Sequence, residues 1–90
     1  MLLISYDISD DKLRTEFSKY IKQYGYRLQY SLYEISNSER FLNNIMTDIK
    51  QKYSKKFCQS DSILIIKTGL HSDIIKFGYL KNDDSDIIIV

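Results

Sequence analysis

Three runs in this chain, residues 2–6, 63–66 and 87–90, are apolar or β-favouring at nearly every position. A half-solvated strand alternates apolar and polar side chains, whereas a continuous run reads as a strand covered on both faces. The chain offers little to cover them with. Two amphipathic helices can be traced, one through Leu13, Phe17, Tyr20, Ile21 and Tyr24, the other through Phe41, Leu42, Ile45, Ile49 and Tyr53. Each set recurs at spacings of three and four. Two helices blanket one side of a four-stranded sheet and leave the other bare. At ~25 cal/mol per Å² of apolar area, a wet second side would forfeit many kcal/mol, and a patch of that kind invites association. The expectation is a homodimer packed sheet against sheet.

The order of elements gives the plan. The first run ends in Asp7, with Asp10 and Asp11 just beyond. A helix follows over residues 12–24, capped by Ser9 or Asp10 and stopped by Gly25 in the left-handed conformation that glycine tolerates. Residues 26–35 are rich in Tyr, Leu and Ile and form either one long strand or two short ones bent at Tyr30-Ser31. Asn37 or Ser38 caps the second helix, and Ser36 with Glu39 also fits a capping box. Strands are expected at 62–67 and 74–80, the second marked by Gly78 as a bulge or close approach. A polar loop over 81–86 leads to a last strand ending at Val90. This succession matches an α+β, ferredoxin-like βαββαβ sandwich with an extra C-terminal strand. Residues 1–80 form the domain, and 81–90 form a tail strand for pairing across the dimer or docking a partner. Ile87, Ile88, Ile89 and Val90 are its partner-binding residues.

Composition removes several function classes. Cys58 is the only cysteine, so no internal disulfide forms and the chain suits a reducing cytoplasm. With no histidine nearby, Cys58 reads as a buried or incidental thiol. No apolar run approaches the ~20 residues that cross a bilayer, and the start lacks the basic region of a secretion signal. A cytoplasmic protein without a membrane partner is expected. His71 is the only histidine and reads as a surface loop residue. Zinc-type Cys/His spacing, a glycine-rich phosphate loop and a nucleophile elbow are all missing from the sequence.

The formal net charge is +1, but residues 1–80 hold 12 of the 13 Lys and Arg and 9 of the 12 Asp and Glu. A basic body with an acidic tail is compatible with phosphate contact. Lys50, Lys52, Lys55 and Lys56 gather at the end of the second helix, where they suit the helix dipole as a solvated end or serve as a phosphate patch.

Carboxylate chemistry remains. A strand that delivers an acid to its tip ahead of a helix is a common way to place a metal-binding or catalytic group. Asp7 fits that description. It also fits a plainer one, in which it only ends the strand and helps the cap. Mg²⁺ often takes one or two carboxylates plus waters and phosphates. In a two-fold dimer the two copies of Asp7 can face each other, and two acids with one metal allow metal-assisted phosphodiester hydrolysis. Ser5, Ser9 and Asp10 are candidate supporting groups.

Two stretches resemble a known family. They are Ser5-Tyr6-Asp7-Ile8-Ser9-Asp10, with Arg14 in the following helix, and Tyr24-Gly25-Tyr26-Arg27-Leu28-Gln29-Tyr30-Ser31-Leu32-Tyr33-Glu34. Together they are similar to the signature of the CRISPR-associated protein two family, the small non-integrase subunit of the spacer-acquisition complex. The resemblance covers most of the chain. It implies a ferredoxin-like homodimer with residues 26–35 split into two strands. It implies that Asp7 is both catalytic residue and Mg²⁺ ligand in an endonuclease acting on RNA or DNA. It also implies that the dimer lies along duplex DNA and bridges integrase dimers, with the tail strand contacting the integrase subunit. Lys12, Arg14 and Arg27 become the nucleic-acid-binding residues. The chain departs from the pattern at Tyr30, where many members carry a basic residue, at Tyr33, where Phe is usual, and in having one Arg early in the first helix instead of two. Three readings follow: an architectural subunit on duplex DNA, an Mg²⁺-dependent nuclease at paired Asp7, and a toxin-like endoribonuclease of the same fold.

Overall fold

The computed structural model describes residues 1–36, 38–69, 72–79 and 88–89. Strand β1 (Leu2–Asp7) is the spine, hydrogen-bonded to a neighbour on either side. Helix α1 (Asp11–Ile21) leaves its tip after a three-residue turn. Of the two expected caps the structure uses Asp10, whose carboxylate accepts from the Leu13 amide at 2.8 Å. Asp11 then sits at the positive end of the helix dipole.

Residues 26–35 form a hairpin, not one long strand. Strand β2 (Gly25–Gln29) turns through Tyr30 and Ser31 into β3 (Leu32–Ile35). The turn carries Tyr30 at φ +37°, the only positive φ outside glycine among the described residues. Gly25 is needed for a reason other than the expected one. It does not take a left-handed conformation; it opens β2, and a Cβ there would lie 1.9 Å from the Glu34 carbonyl oxygen. Close strand approach, not a helix stop, requires the missing side chain.

Helix α2 (Ser38–Asp48) is shorter than its apolar spacing suggests, because the chain widens into a π-helical turn at Ile49–Tyr53 and tightens to a 3-10 turn at Ser54–Lys56. Through that change of pitch Ile49 stays fully buried and the Tyr53 ring meets Phe17 edge-on at 5.0 Å. Phe41 and Leu42 are only partly buried against the core.

Strands β4 (Ser62–Lys67) and β5 (Asp73–Gly78) complete the antiparallel sheet, and β6 (Ile88–Ile89) adds a parallel rung. The sheet order is β2-β3-β1-β4-β5-β6. Strands β1 to β4, in the order β2-β3-β1-β4, with α1 and α2 give the ferredoxin-like arrangement, an α+β sandwich. Gly78 does mark a close approach: it has φ +91°, and a Cβ would meet the Asp61 carbonyl oxygen at 2.4 Å. The backbone of Ile88–Ile89 runs beside Ile75 and Lys76 of its own chain. Expectations at Asn37, His71, Leu80, Ile87 and Val90, and at the side chains of Ser38, Ile88 and Ile89, lie outside what is described.

Register sorts the sheet into two unlike faces. Leu2, Ile4, Tyr6, Tyr33, Ile63 and Ile65 project under the helices and are buried with Phe17, Ile21, Ile45 and Ile49. On the other face the cross-strand pairing aligns Glu34, Leu3, Ile66 and Ile74 in one row and Leu32, Ser5, Leu64 and Lys76 in the next. Leu3, Leu32, Leu64 and Ile66 are only half-buried and Ile74 is exposed. Of the strands expected to be covered on both sides, β1 and β4 are buried on one face and half-buried on the other. Among the described residues, no helix is long and apolar enough to cross a membrane.

Candidate functional site

Asp7 ends β1 opposite Ser62 of β4. Strand alternation places it on the helix-free face with Leu3 and Ser5, and its side chain is exposed. The structure does not gather the expected supporting groups around it. Asp10 is committed to the α1 cap. Ser9 turns away to Asp61, giving its amide and its hydroxyl to one carboxylate oxygen, each at 2.9 Å. Ser5 alone shares a face with Asp7. Among the described residues, no group of three or more His, Cys, Asp or Glu could hold a metal. A single protomer therefore offers a hard cation one exposed carboxylate, a donor set that fits Mg²⁺ only when a second acid or a substrate phosphate joins it.

Asp61 carried no signal in the sequence, yet it organises this corner. It is 1% exposed. Besides the two bonds from Ser9, its second carboxylate oxygen accepts the Cys58 amide at 3.0 Å. Its main-chain oxygen accepts the Tyr79 amide at 2.8 Å. One residue thus ties the β1–α1 turn to the approach of β4 and the end of β5. Burial pushes the Asp61 carboxyl up, but the hydrogen bonds from Ser9 and Cys58 outweigh it and hold the group below the usual carboxylate value. Cys58 is not buried: its thiol is exposed, 3.1 Å from the Ser9 hydroxyl and 3.4 Å from that of Ser60. Hydrogen bonding to Ser60, then to Ser9, holds it below the ordinary thiol value.

The three expected nucleic-acid contacts do not share one surface. Lys12 lines a cleft of about 580 Å³ with Lys56, and Asp10, Glu16 and Asp61 line it too. On the other side of α1, Arg14 and Arg27 line a groove of about 490 Å³ with Lys19 and Lys22, and no acid is among the described residues that line it. Arg14 is largely spent on the fold. Its guanidinium donates to the Ile8 carbonyl at 3.0 Å and pairs with Asp11. Among the described residues no carboxylate pairs with Arg27, Lys19 or Lys22. Lys19 and Lys22 could have been found from the sequence, because they follow Thr15 by four and seven and so share a helix side with it.

Comparison with known proteins agrees with the geometry. Residues 1–73 match the model of the family described as CRISPR associated protein Cas2. A protein of Chloroflexus aurantiacus named "CRISPR-associated endoribonuclease Cas2 3" is 39% identical over 49 residues, which are 54% of this chain and 53% of that one. A protein of the same name from Synechocystis is 30% identical over 56 residues, 62% of this chain and 61% of its own. The chain thus spans a little over half the length of the curated relatives it matches. No solved structure matches. The strand order, the hairpin at 25–35 and the match over 73 residues have one common reading: the chain belongs to the CRISPR-associated protein Cas2 family.

Proposed function

We propose that this protein is the dimeric, backbone-binding subunit of a CRISPR spacer-acquisition apparatus. The observation that carries the reading is the helix-free face, where Leu3, Leu32, Leu64, Ile66 and Ile74 lie in the cross-strand rows beside Asp7, among Glu34, Ser5 and Lys76. Covering those rows with a second copy buries Leu3, Leu64, Ile66 and Ile74 and sets two Asp7 carboxylates on either side of a two-fold axis. The acid-free groove of Arg27, Lys19 and Lys22 then appears twice on the outside of the dimer. Such a surface holds phosphates without reading bases, so binding falls steeply with salt. Duplex DNA lies across it, and an integrase subunit docks at the tail strand, residues 81–90, with Ile87, Ile88, Ile89 and Val90 as its contacts.

The relatives' printed name favours a second activity, phosphodiester cleavage, at the same axis. The paired Asp7 side chains would hold Mg²⁺, which supplies Lewis-acid polarisation of a phosphoryl oxygen when bound. The residues themselves hold the acids in register: Ser62 opposite Asp7 fixes the strand, and Asp61 fixes the turn that follows. Asp7→Ala separates the two roles. Expected is loss of any Mg²⁺-dependent cleavage of RNA or DNA by at least a hundredfold, with duplex affinity and spacer uptake retained. Retained cleavage in Asp7→Ala removes the nuclease assignment. A flat salt response of duplex binding removes the backbone-binding one.

A further inference from the structure

The groove beside α1 has a feature that duplex binding does not use. Tyr30, at its rim, is 83% exposed, the most exposed large apolar side chain described. It also sits at φ +37°, a conformation that glycine or asparagine would take without strain and that a bulky aromatic resists. Folding gains nothing from an aromatic ring there, neither buried area nor turn geometry. The ring instead lines a groove with three cations that no acid among the described residues pairs with, Arg27, Lys19 and Lys22, and with hydroxyls from Thr15, Ser18 and Ser31.

We propose that this groove is a site for one unpaired nucleotide, its base stacked on Tyr30 and its flanking phosphates held by Arg27, Lys19 and Lys22. The proposal rests on the backbone-binding reading and adds a substrate class to it: single-stranded segments or the frayed ends of a duplex. The chemistry decides between strands. A paired base keeps both faces inside the stack, so a projecting ring finds no partner on intact duplex, whereas every unpaired base offers a π-face. A volume of about 490 Å³ suits a ligand of nucleotide size. The absence of acids from the lining suits its phosphates, and the cleft on the other side of α1, with Asp10, Glu16 and Asp61, does not. The hydroxyls around the groove supply donors and acceptors for a base edge without fixing which base.

The test is a binding titration by fluorescence anisotropy, run at each of several matched salt concentrations. The probes are an unpaired ten-nucleotide oligothymidylate and a blunt duplex. The proteins are the unmodified chain, Tyr30→Asn, Tyr30→Phe and Arg27→Ala. Asparagine suits the positive φ, so Tyr30→Asn folds at least as well as the parent, which thermal unfolding verifies. Expected is a loss of about five- to a hundredfold in single-strand affinity for Tyr30→Asn, no change on the duplex, and near-full retention for Tyr30→Phe. Arg27→Ala weakens both probes and flattens the salt dependence. If Tyr30→Asn binds the single strand as the parent does, or loses both probes equally, the stacking site is refuted while backbone binding stands. If the unmodified protein binds neither probe, the backbone reading fails and this site fails with it.

Discussion

The two faces of the sheet are built from the same kinds of side chain and end in different states. Under the helices, Ile4, Phe17, Ile21, Tyr33 and Ile63 are wholly buried, and the aromatic rings interlock edge to face, as Tyr6 and Phe17 do at 5.2 Å. Polar groups on that side are matched too: Asp61 makes three hydrogen bonds and Tyr20 donates to Asp48. On the opposite face, Leu3, Ile66 and Ile74 pair across the strands and Leu64 pairs with Ser5 and Lys76, and among the described residues no helix packs over them, so Leu3, Leu64 and Ile66 stay half-buried and Ile74 exposed. One face is a finished core and the other is half of one. The difference teaches that one side of these strands carries the folding of the protomer, while the other is the side to which the proposed dimer assigns assembly.

The largest test of that contrast is Phe17→Ala. It removes a fully buried ring from the finished face, with an expected loss of about 3–5 kcal/mol. Urea unfolding should show the same loss at any protein concentration, because the site belongs to the protomer. A concentration-dependent loss would mean that the two faces are not independent.

A smaller effect is expected at the polar lock of the covered side. Asp61→Asn replaces one accepting oxygen with a donor and leaves at least one of the Ser9 or Cys58 donors unmet, costing about 1–3 kcal/mol. Its pH signature is specific. The carboxyl of Asp61 is held below its ordinary value in the folded state, so its contribution is present above the unfolded carboxyl value of about 4 and fades as pH falls through the lower folded one. The parent should therefore lose stability more steeply than Asp61→Asn in acid. Parallel acid limbs in denaturant titrations at successive pH values would show that the lock is not charged.

Much of this was legible beforehand, and the reason is periodicity. Apolar spacing locates both helices and the strand at 62–67, and it places the next strand at 74–80 where the structure has Asp73–Gly78; the surplus of apolar residues over helices announces the bare face. The partners of polar groups were harder to see. Arg14 looks like a phosphate ligand in sequence, but it folds back on the Ile8 carbonyl and Asp11. Asp61 is joined to Ser9 across 52 positions, and no local pattern encodes a contact of that length. Gly25 was rightly singled out but for the wrong neighbour, since only the pairing of β2 with β3 brings the Glu34 carbonyl against it. Of the two readings of Cys58, buried or incidental, burial is the one the structure overturns, because the loop presents the thiol to solvent between two serines.

Sedimentation equilibrium of the unmodified chain beside Ile66→Lys weighs the claim that the helix-free face is made to be covered. The unmodified protein should run at about twice 10.7 kDa. A lysine among the apolar rows should return it to a single-chain mass with its circular dichroism unchanged, because the helix-covered core is untouched. An unmodified chain that stays at 10.7 kDa up to tens of micromolar, or a lysine variant that dimerises as well as its parent, would contradict the account.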